Sequence, residues 1–111
     1  GGRSLVTDLP AAVASSIDAA NRVDTAAFLG CFTPDGVVDD WGREFRGPEA
    51  ITGWSDKEFI GVDVALDVGG VDASGDDTTV SAQVGGRGFN GPSHFTFHVE
   101  GDRVTRMTIR A

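Results

Sequence analysis

The hydrophobic periodicity of this chain changes near residue 60, and that change restricts the possible folds more than any other feature. Before it, apolar residues recur every three or four positions and predict a first helix: Leu9, Val13, Ile17 and Ala20. After it, apolar and polar residues alternate as in a half-buried strand, with the apolar positions at Val62, Val64, Leu66 and Val68. Helices followed by strands predict an α+β fold, with the helices on one face of an antiparallel sheet.

Capping and turn signals divide both halves into elements. Three helices are predicted to begin at Asp8, Asp24 and Gly47. Turns are expected where glycine, proline and aspartate concentrate, at residues 33–36, 74–77, 85–91 and 100–102. The strands between them are predicted at 37–41, 62–68, 78–84, 93–99 and 104–110. Because the later connections are short, we expect a meander that curves around the helices and leaves room for an apolar cavity.

Length and hydropathy indicate one globular domain. The 111 residues, 40% of them hydrophobic, suit a single domain spanning 1–111, with 1–7 as a loose N-terminal segment. No apolar run approaches the roughly 18 residues that a membrane span needs. No segment has the order of a signal peptide, so the cytoplasm is the expected compartment.

Charge and cysteine content exclude several functions. A net charge of -8 disfavours nucleic acid and anionic membranes as partners. A single cysteine, Cys31, excludes an internal disulfide and is expected to be buried and inert. Two histidines and one cysteine at unrelated spacings give no zinc motif, and no phosphate-binding glycine loop is present, so neither metal nor cofactor is expected.

Three segments resemble the nuclear transport factor-like superfamily, in particular SnoaL-like polyketide cyclases and ketosteroid isomerases. Residues 24–40 (DTAAFLGCFTPDGVVDD) carry the strongest similarity, followed by 45–51 (FRGPEAI) and by 94–97 (HFTF) with 101–104 (GDRV). The resemblance extends from about Leu9 to Arg110. It implies a cystatin-like cone, with N-terminal helices packed in the concave face of a curved antiparallel sheet. It also implies a homodimer formed through the outer face of that sheet.

The resemblance makes Asp40 the candidate general base, because ketosteroid isomerases carry theirs at the position eight residues after Phe32. A carboxylate in a dry pocket can remove a proton from a carbon next to a carbonyl. Because strand side chains alternate, only one of Asp39 and Asp40 can face inward. An exposed acidic pair is the alternative interpretation. Arg43 or Arg46, if either reached the carboxylate, would make Asp40 part of a structural ion pair.

The other groups of an isomerase site are absent. The resemblance implies a tyrosine on the first helix and a protonated aspartic acid on a late strand, and these positions hold Ser16 and Ser93. Small residues packed between helix and sheet are the interpretation we favour for both. Alternation along the same strand predicts Phe95 inward with Ser93, and the two histidines, His94 and His98, outward.

The remaining expected pocket residues are mostly aromatic. With Ser16 and Ser93, the predicted lining consists of Trp41, Phe45, Trp54, Phe59, Phe89, Phe95, Phe97 and Met107. Two functions follow from this set. One is a cofactor-independent isomerase, cyclase or lyase acting on a small apolar carbonyl compound, with Asp40 as the base. The alternative is a non-catalytic, dimeric module that binds an apolar ligand or has only a packed core.

Overall fold

The computed structural model describes residues 9–111, which form three helices packed on one curved, six-stranded sheet. In chain order the elements are α1 (Ala11–Asn21), α2 (Thr25–Gly30), β1 (Phe32–Asp40), β2 (Arg43–Arg46), α3 (Gly47–Glu58), β3 (Ala65–Ser74), β4 (Asp77–Gly85), β5 (Gly91–Glu100) and β6 (Arg103–Arg110). A short 3-10 turn, Ile60–Val62, joins α3 to β3. The predicted α+β class is confirmed.

Helices α2 and α3 begin where the capping signals predicted, and α1 begins at Ala11 with Pro10 as its N-cap residue. The Asp24 carboxylate accepts a hydrogen bond from the Ala27 N–H at 3.1 Å and so caps α2. Gly47 and Pro48 open α3, whose buried side carries Ile51 and Trp54. The predicted cap of α1, Asp8, lies outside the described residues.

The sheet has the order β2-β1-β6-β5-β4-β3. Strands β3 to β6 form the expected antiparallel meander. Two features were not predicted from the sequence. Strand β2 pairs antiparallel with β1, and β1 runs parallel to β6. The sheet is therefore mixed, with one parallel pair at the junction of the two halves of the chain.

The turn predicted at residues 33–36 is instead a bulge within β1. Phe32 pairs with Val104 of β6, and pairing resumes between Val37 and Arg106, so four residues of β1 lie opposite one of β6. Pro34 has no N–H to contribute to the ladder, which favours this interruption.

The strand predicted from residue 62 begins later, at Ala65. The chain first completes the 3-10 turn, and Asp63 then takes a left-handed conformation with a φ of 56°. The predicted turn at residues 74–77 is confirmed as the tight connection between β3 and β4, where Gly75 has a φ of 61°.

The core lies between the helices and the inner face of the sheet. Val13 on α1, Ile51 on α3, and Phe97 and Met107 on β5 and β6 are each nearly inaccessible to solvent. This burial supplies the main driving force for the helix-on-sheet arrangement. In the part of the chain described, no helix combines the length and the apolar character needed to cross a bilayer.

Candidate functional site

A cavity of about 300 Å³ opens between the C-terminal half of α3 and the inner face of the sheet. This volume lies at the lower end of the range for small-molecule sites. Seven of the residues singled out in the sequence line it: Asp40, Trp41, Trp54, Phe59, Phe89, Ser93 and Phe95. Two charged residues that were not predicted from the sequence, Lys57 and Glu58, also line it. Their spacing of three and four residues from Trp54 on α3 is the signal that would have revealed them.

Four predicted lining residues lie elsewhere. Ser16 is buried in α1 and donates its hydroxyl to the Val13 carbonyl at 2.8 Å, so this hydroxyl bonds within its own helix. Phe97 and Met107 face each other across β5 and β6 in the closed part of the core. Phe45 is half-buried and packs beside Trp54, with ring centroids 6.2 Å apart.

Asp40 ends β1 and lies at the cavity wall, with 15% of its side chain exposed. Its Oδ2 atom accepts two hydrogen bonds, from Trp54 Nε1 at 3.0 Å and from Arg43 Nη2 at 2.6 Å. Among the described residues, no group donates to Oδ1. Both hydrogen bonds from the described residues thus hold the carboxylate at the same oxygen.

Arg43 connects Asp40 to Glu58 across the rim of the cavity. Its Nη2 lies 2.7 Å from Glu58 Oε1, and its Nη1 lies 3.0 Å from Glu58 Oε2. The guanidinium therefore donates to Glu58 through two nitrogens, and Nη2 also donates to Asp40. These bonds lower the pKa of the Glu58 carboxyl and raise the pKa of Arg43. Arg46 does not compete for Asp40, because its guanidinium reaches the Asp35 carbonyl at 3.3 Å.

Ser93 supplies a hydroxyl to the cavity from β5. The residue is buried, with 4% exposed, and its neighbours on the same face of β5 include Phe95. Within residues 9–111, no hydrogen bond engages the Ser93 hydroxyl. Ser93 lies two strands away from Asp40, because β6 separates β5 from β1.

Two exposed aromatic residues mark the cavity mouth. Trp41, in the tight turn between β1 and β2, and Phe89, in the loop between β4 and β5, both line the cavity and are more than half exposed. Trp41 has a φ of 55°, a left-handed conformation that costs energy for a residue with a bulky side chain. Strain of this kind is concentrated at functional sites in proteins.

The loop beyond β4 closes the rim through its main chain. The Arg87 N–H donates to the Val62 carbonyl at 2.8 Å, and its guanidinium pairs with Asp63 at 2.8 Å. A Cβ atom at Gly88 would lie 2.8 Å from Val62 Cγ2, so glycine permits this close approach. The loop that carries Phe89 is thereby fixed against the 3-10 turn.

On the outer face of the sheet lie the polar side chains that alternate, along each strand, with the side chains that face the cavity. Asp39 points away from the cavity and accepts hydrogen bonds from Arg106 Nη2 at 2.7 Å and from Arg110 Nη1 at 3.1 Å. The bonds from Arg110, and those from the Gly42 N–H and Arg106, hold the pKa of the Asp39 carboxyl below its usual range although burial opposes them. Asp39 is a structural anion.

The predicted directions of the β5 side chains are confirmed. Phe95 and Phe97 are buried on the inner face, whereas His94 is exposed and His98 partly exposed on the outer face. The Nδ1 atom of His98 lies 2.7 Å from Asp77 Oδ1. A histidine-assisted reaction in the cavity is therefore not supported by this geometry.

An α+β cone with a lateral, aromatic-lined cavity is the architecture of small-molecule-pocket domains. The chain belongs to the SnoaL-like domain family, whose model matches residues 13–107. No functionally curated protein matches it significantly.

Solved structures of the same fold agree with this assignment. A candidate polyketide cyclase from Sinorhizobium meliloti is 29% identical, with a TM-score of 0.85, and the match covers 96% of this chain and all of that one. A Catenulispora acidiphila protein with a ketosteroid isomerase-like fold, in complex with trimethylamine, is 23% identical, with a TM-score of 0.77 and coverage of 92% and 85%. A Mycobacterium tuberculosis protein in complex with estradiol-17β-hemisuccinate is 19% identical, with a TM-score of 0.76 and coverage of 92% and 93%.

Proposed function

We propose that this protein binds a small, mostly apolar carbonyl compound in the lateral cavity and isomerises or cyclises it, with Asp40 as general base. The observation that carries this proposal is the Asp40 carboxylate itself. It lies in a wall made largely of Trp54, Phe59 and Phe95, and its Oδ1 atom has no donor among the described residues. Relatives of the same fold in complex with trimethylamine and with a steroid ester support a small-molecule ligand.

The shape and polarity of the cavity define the ligand class. Aromatic and aliphatic walls favour an apolar body, and the exposed rings of Trp41 and Phe89 extend that apolar surface to the mouth. The charges at the rim compensate one another: Asp40 and Glu58 are balanced by Arg43 and by the neighbouring Lys57. A neutral ligand fits this balance better than an ion does.

The reaction step follows from the position of the base. Asp40 Oδ1 takes a proton from the carbon next to the ligand carbonyl, and the C–H electron pair moves into an enolate. The Ser93 hydroxyl, the donor that the cavity offers on β5, stabilises the enolate oxygen by a hydrogen bond. Return of the proton to another carbon completes an isomerisation. In a cyclisation, the enolate carbon instead attacks a second carbonyl of the same molecule, which forms a carbon–carbon bond and an alkoxide. The proton held by Asp40 then passes to that alkoxide.

The alternative is a binding module without catalysis, and one specific observation favours it. Arg43 lies 2.6 Å from Asp40 Oδ2, as a structural ion pair would require. The groups that replace the isomerase oxyanion donors are also weak: Ser16 bonds within α1, and Ser93 is less acidic than a phenol. Under this alternative the cavity holds a ligand and leaves it unchanged.

Exchange of carbon-bound protons for deuterium tests the proposal. The probe is 2-tetralone, a neutral bicyclic ketone with acidic C–H bonds, and its exchange in D2O is followed by NMR. We expect the wild-type protein to accelerate exchange and Asp40→Asn to lose about 100-fold or more of that acceleration. Asp18→Asn, which changes an exposed aspartate on α1, is the matched control and should exchange at the wild-type rate.

Binding is measured on the same samples, through the quenching of tryptophan fluorescence by 2-tetralone. Saturable quenching without accelerated exchange would overturn the catalytic proposal and leave the binding module. Neither quenching nor exchange would overturn both functions for ligands of this class. Exchange that persists in Asp40→Asn would remove Asp40 as the base.

A further inference from the structure

Trp54 and Asp40 form a hydrogen bond within the cavity wall that joins α3 to the sheet. The indole Nε1 of Trp54, on α3, donates to Asp40 Oδ2, at the end of β1, over 3.0 Å. The side chain of Trp54 is 3% exposed, so its N–H has little access to water as an alternative acceptor. The bond therefore persists as long as both elements stay in place.

Both ends of this bond are rigid. The Trp54 ring stacks on Phe59, with centroids 4.9 Å apart and planes inclined by 23°, and Phe45 packs against it. On the other side, the backbone of Asp40 is paired with Arg43 of β2 and with Ile109 of β6. The direction of the indole N–H is thus fixed by packing, and so is the position of the oxygen that accepts it.

The second donor to Asp40 is less constrained. Arg43 is half exposed and uses both of its terminal nitrogens on Glu58. Water screens the ion pair of a half-exposed guanidinium, and its long side chain is less confined than a ring packed in the core. Trp54 therefore determines the orientation of the Asp40 carboxylate more than Arg43 does.

We infer that Trp54 is a positioning residue for Asp40: its indole N–H holds Oδ2 and turns Oδ1 toward the bound ligand. This inference rests on the proposed function of Asp40 as a base. During the reaction the substrate proton moves to Oδ1, and the indole N–H keeps its own proton and remains on Oδ2.

The kinetic test replaces Trp54 by phenylalanine, which keeps an aromatic ring against Phe59 and removes only the N–H donor. For exchange of 2-tetralone we expect kcat to fall about tenfold or more, because a hydrogen bond to a charged group is lost. KM should change little, because the cavity wall keeps an aromatic ring at this position. The matched control is Trp41→Phe at the cavity mouth, where the main effect should be a higher KM.

A spectroscopic arm keeps the inference testable if Trp54→Phe is poorly folded. The chain has two tryptophans, so its NMR spectrum contains two indole N–H resonances, and Trp41→Phe assigns the one from Trp54. The Trp54 resonance should move on Asp40→Ala, which removes the acceptor, and should keep its wild-type position in the control Asp18→Asn.

The outcomes separate this inference from the function on which it rests. A wild-type kcat for exchange in Trp54→Phe overturns the positioning role alone. An unchanged Trp54 resonance in Asp40→Ala also overturns it, whatever the rates. Absence of exchange in the wild-type protein overturns the proposed function, and the positioning role falls with it.

Discussion

Asp39 and Asp40 are consecutive residues of β1 whose carboxylates lie on opposite faces of the sheet. Asp39 points outward into a pair of arginines, Arg106 and Arg110, whereas Asp40 points inward and meets Trp54 at the cavity wall. Successive side chains of a strand point to opposite faces of the sheet, so the two carboxylates lie on different faces although their residues are adjacent. The same substitution at each position should therefore affect different properties of the protein.

Asp39→Asn should lower the free energy of unfolding by about 2 kcal/mol, because a buried, multiply hydrogen-bonded anion loses its charge. Chemical denaturation measures the change. Asp18→Asn is the control, since Asp18 also pairs with an arginine, Arg22, but in solvent. Equal stabilities of the two variants would contradict a structural role for Asp39.

The stabilisation by Asp39 should depend on pH in a defined direction. Because the pKa of its carboxyl is lowered in the folded protein, its contribution is present above the pKa of the unfolded chain and is lost as pH falls through the folded value. The stability difference between the wild type and Asp39→Asn should therefore be largest near neutral pH and shrink in acid. A difference that grows in acid would refute this assignment.

Asp40→Asn and Asp40→Ala should differ in stability. Asparagine keeps an oxygen that can accept from Trp54, and Arg43 keeps Glu58, so we expect a change within about 1 kcal/mol. Alanine leaves the buried indole N–H without its acceptor, which costs about 1–3 kcal/mol. A clear loss of melting temperature in Asp40→Asn would identify Asp40 as a structural anion and remove the catalytic candidate.

His98 should titrate above the ordinary histidine range. Its hydrogen bond to Asp77, and the nearby charges of Glu100 and Asp76, raise its pKa. The stabilisation from this pair is therefore fully present below the unfolded pKa and is lost as pH rises through the folded one. NMR titration of the imidazole measures the shift, and Asp77→Asn should reduce it. A titration curve that Asp77→Asn leaves unaltered would assign the shift to another cause.

We predict that two copies of this chain pair through the outer face of the sheet. Three threonines, Thr79, Thr96 and Thr108, lie side by side across β4, β5 and β6 and give that face a flat surface of short side chains. Light scattering at tens of micromolar, a range where a standard-size interface holds, should report a dimer. Thr96→Arg should dissociate it, whereas Thr52→Arg on α3 should not, and a monomeric wild type would contradict the prediction.

Local signals predicted the parts of the fold that depend on neighbouring residues. The start of α3 at Gly47 and the meander after residue 64 follow from capping and from alternation. The hairpin of β1 and β2 was missed because its turn is atypical: Trp41 and Gly42 both have positive φ, at 55° and 91°, where asparagine or aspartate usually precedes the glycine. Tryptophan at that position gives no turn signal.

The parallel pairing of β1 with β6 could not be predicted for a different reason. It joins segments from opposite ends of the chain, and its register becomes apparent only when Val38 lies beside Met107 and Asp40 beside Ile109. Hydrophobic periodicity indicates which face of the sheet a residue occupies, but it does not indicate which strand is the neighbour of that residue's strand. Because periodicity gives only the face, it could not distinguish the cavity wall from the closed core. Phe97 and Met107 were therefore expected at the cavity wall although they lie in the closed core.

The two sides of the cavity rim differ in how they accommodate substitutions. A Cβ atom at Gly88 would lie 2.8 Å from Val62 Cγ2, so a larger residue there would have to displace the Val62 side chain. The rings of Trp41 and Phe89, in contrast, extend into solvent and carry little of the fold. Substitutions at these two positions can therefore alter ligand selectivity at small cost to stability, which makes the entrance the adaptable part of this domain.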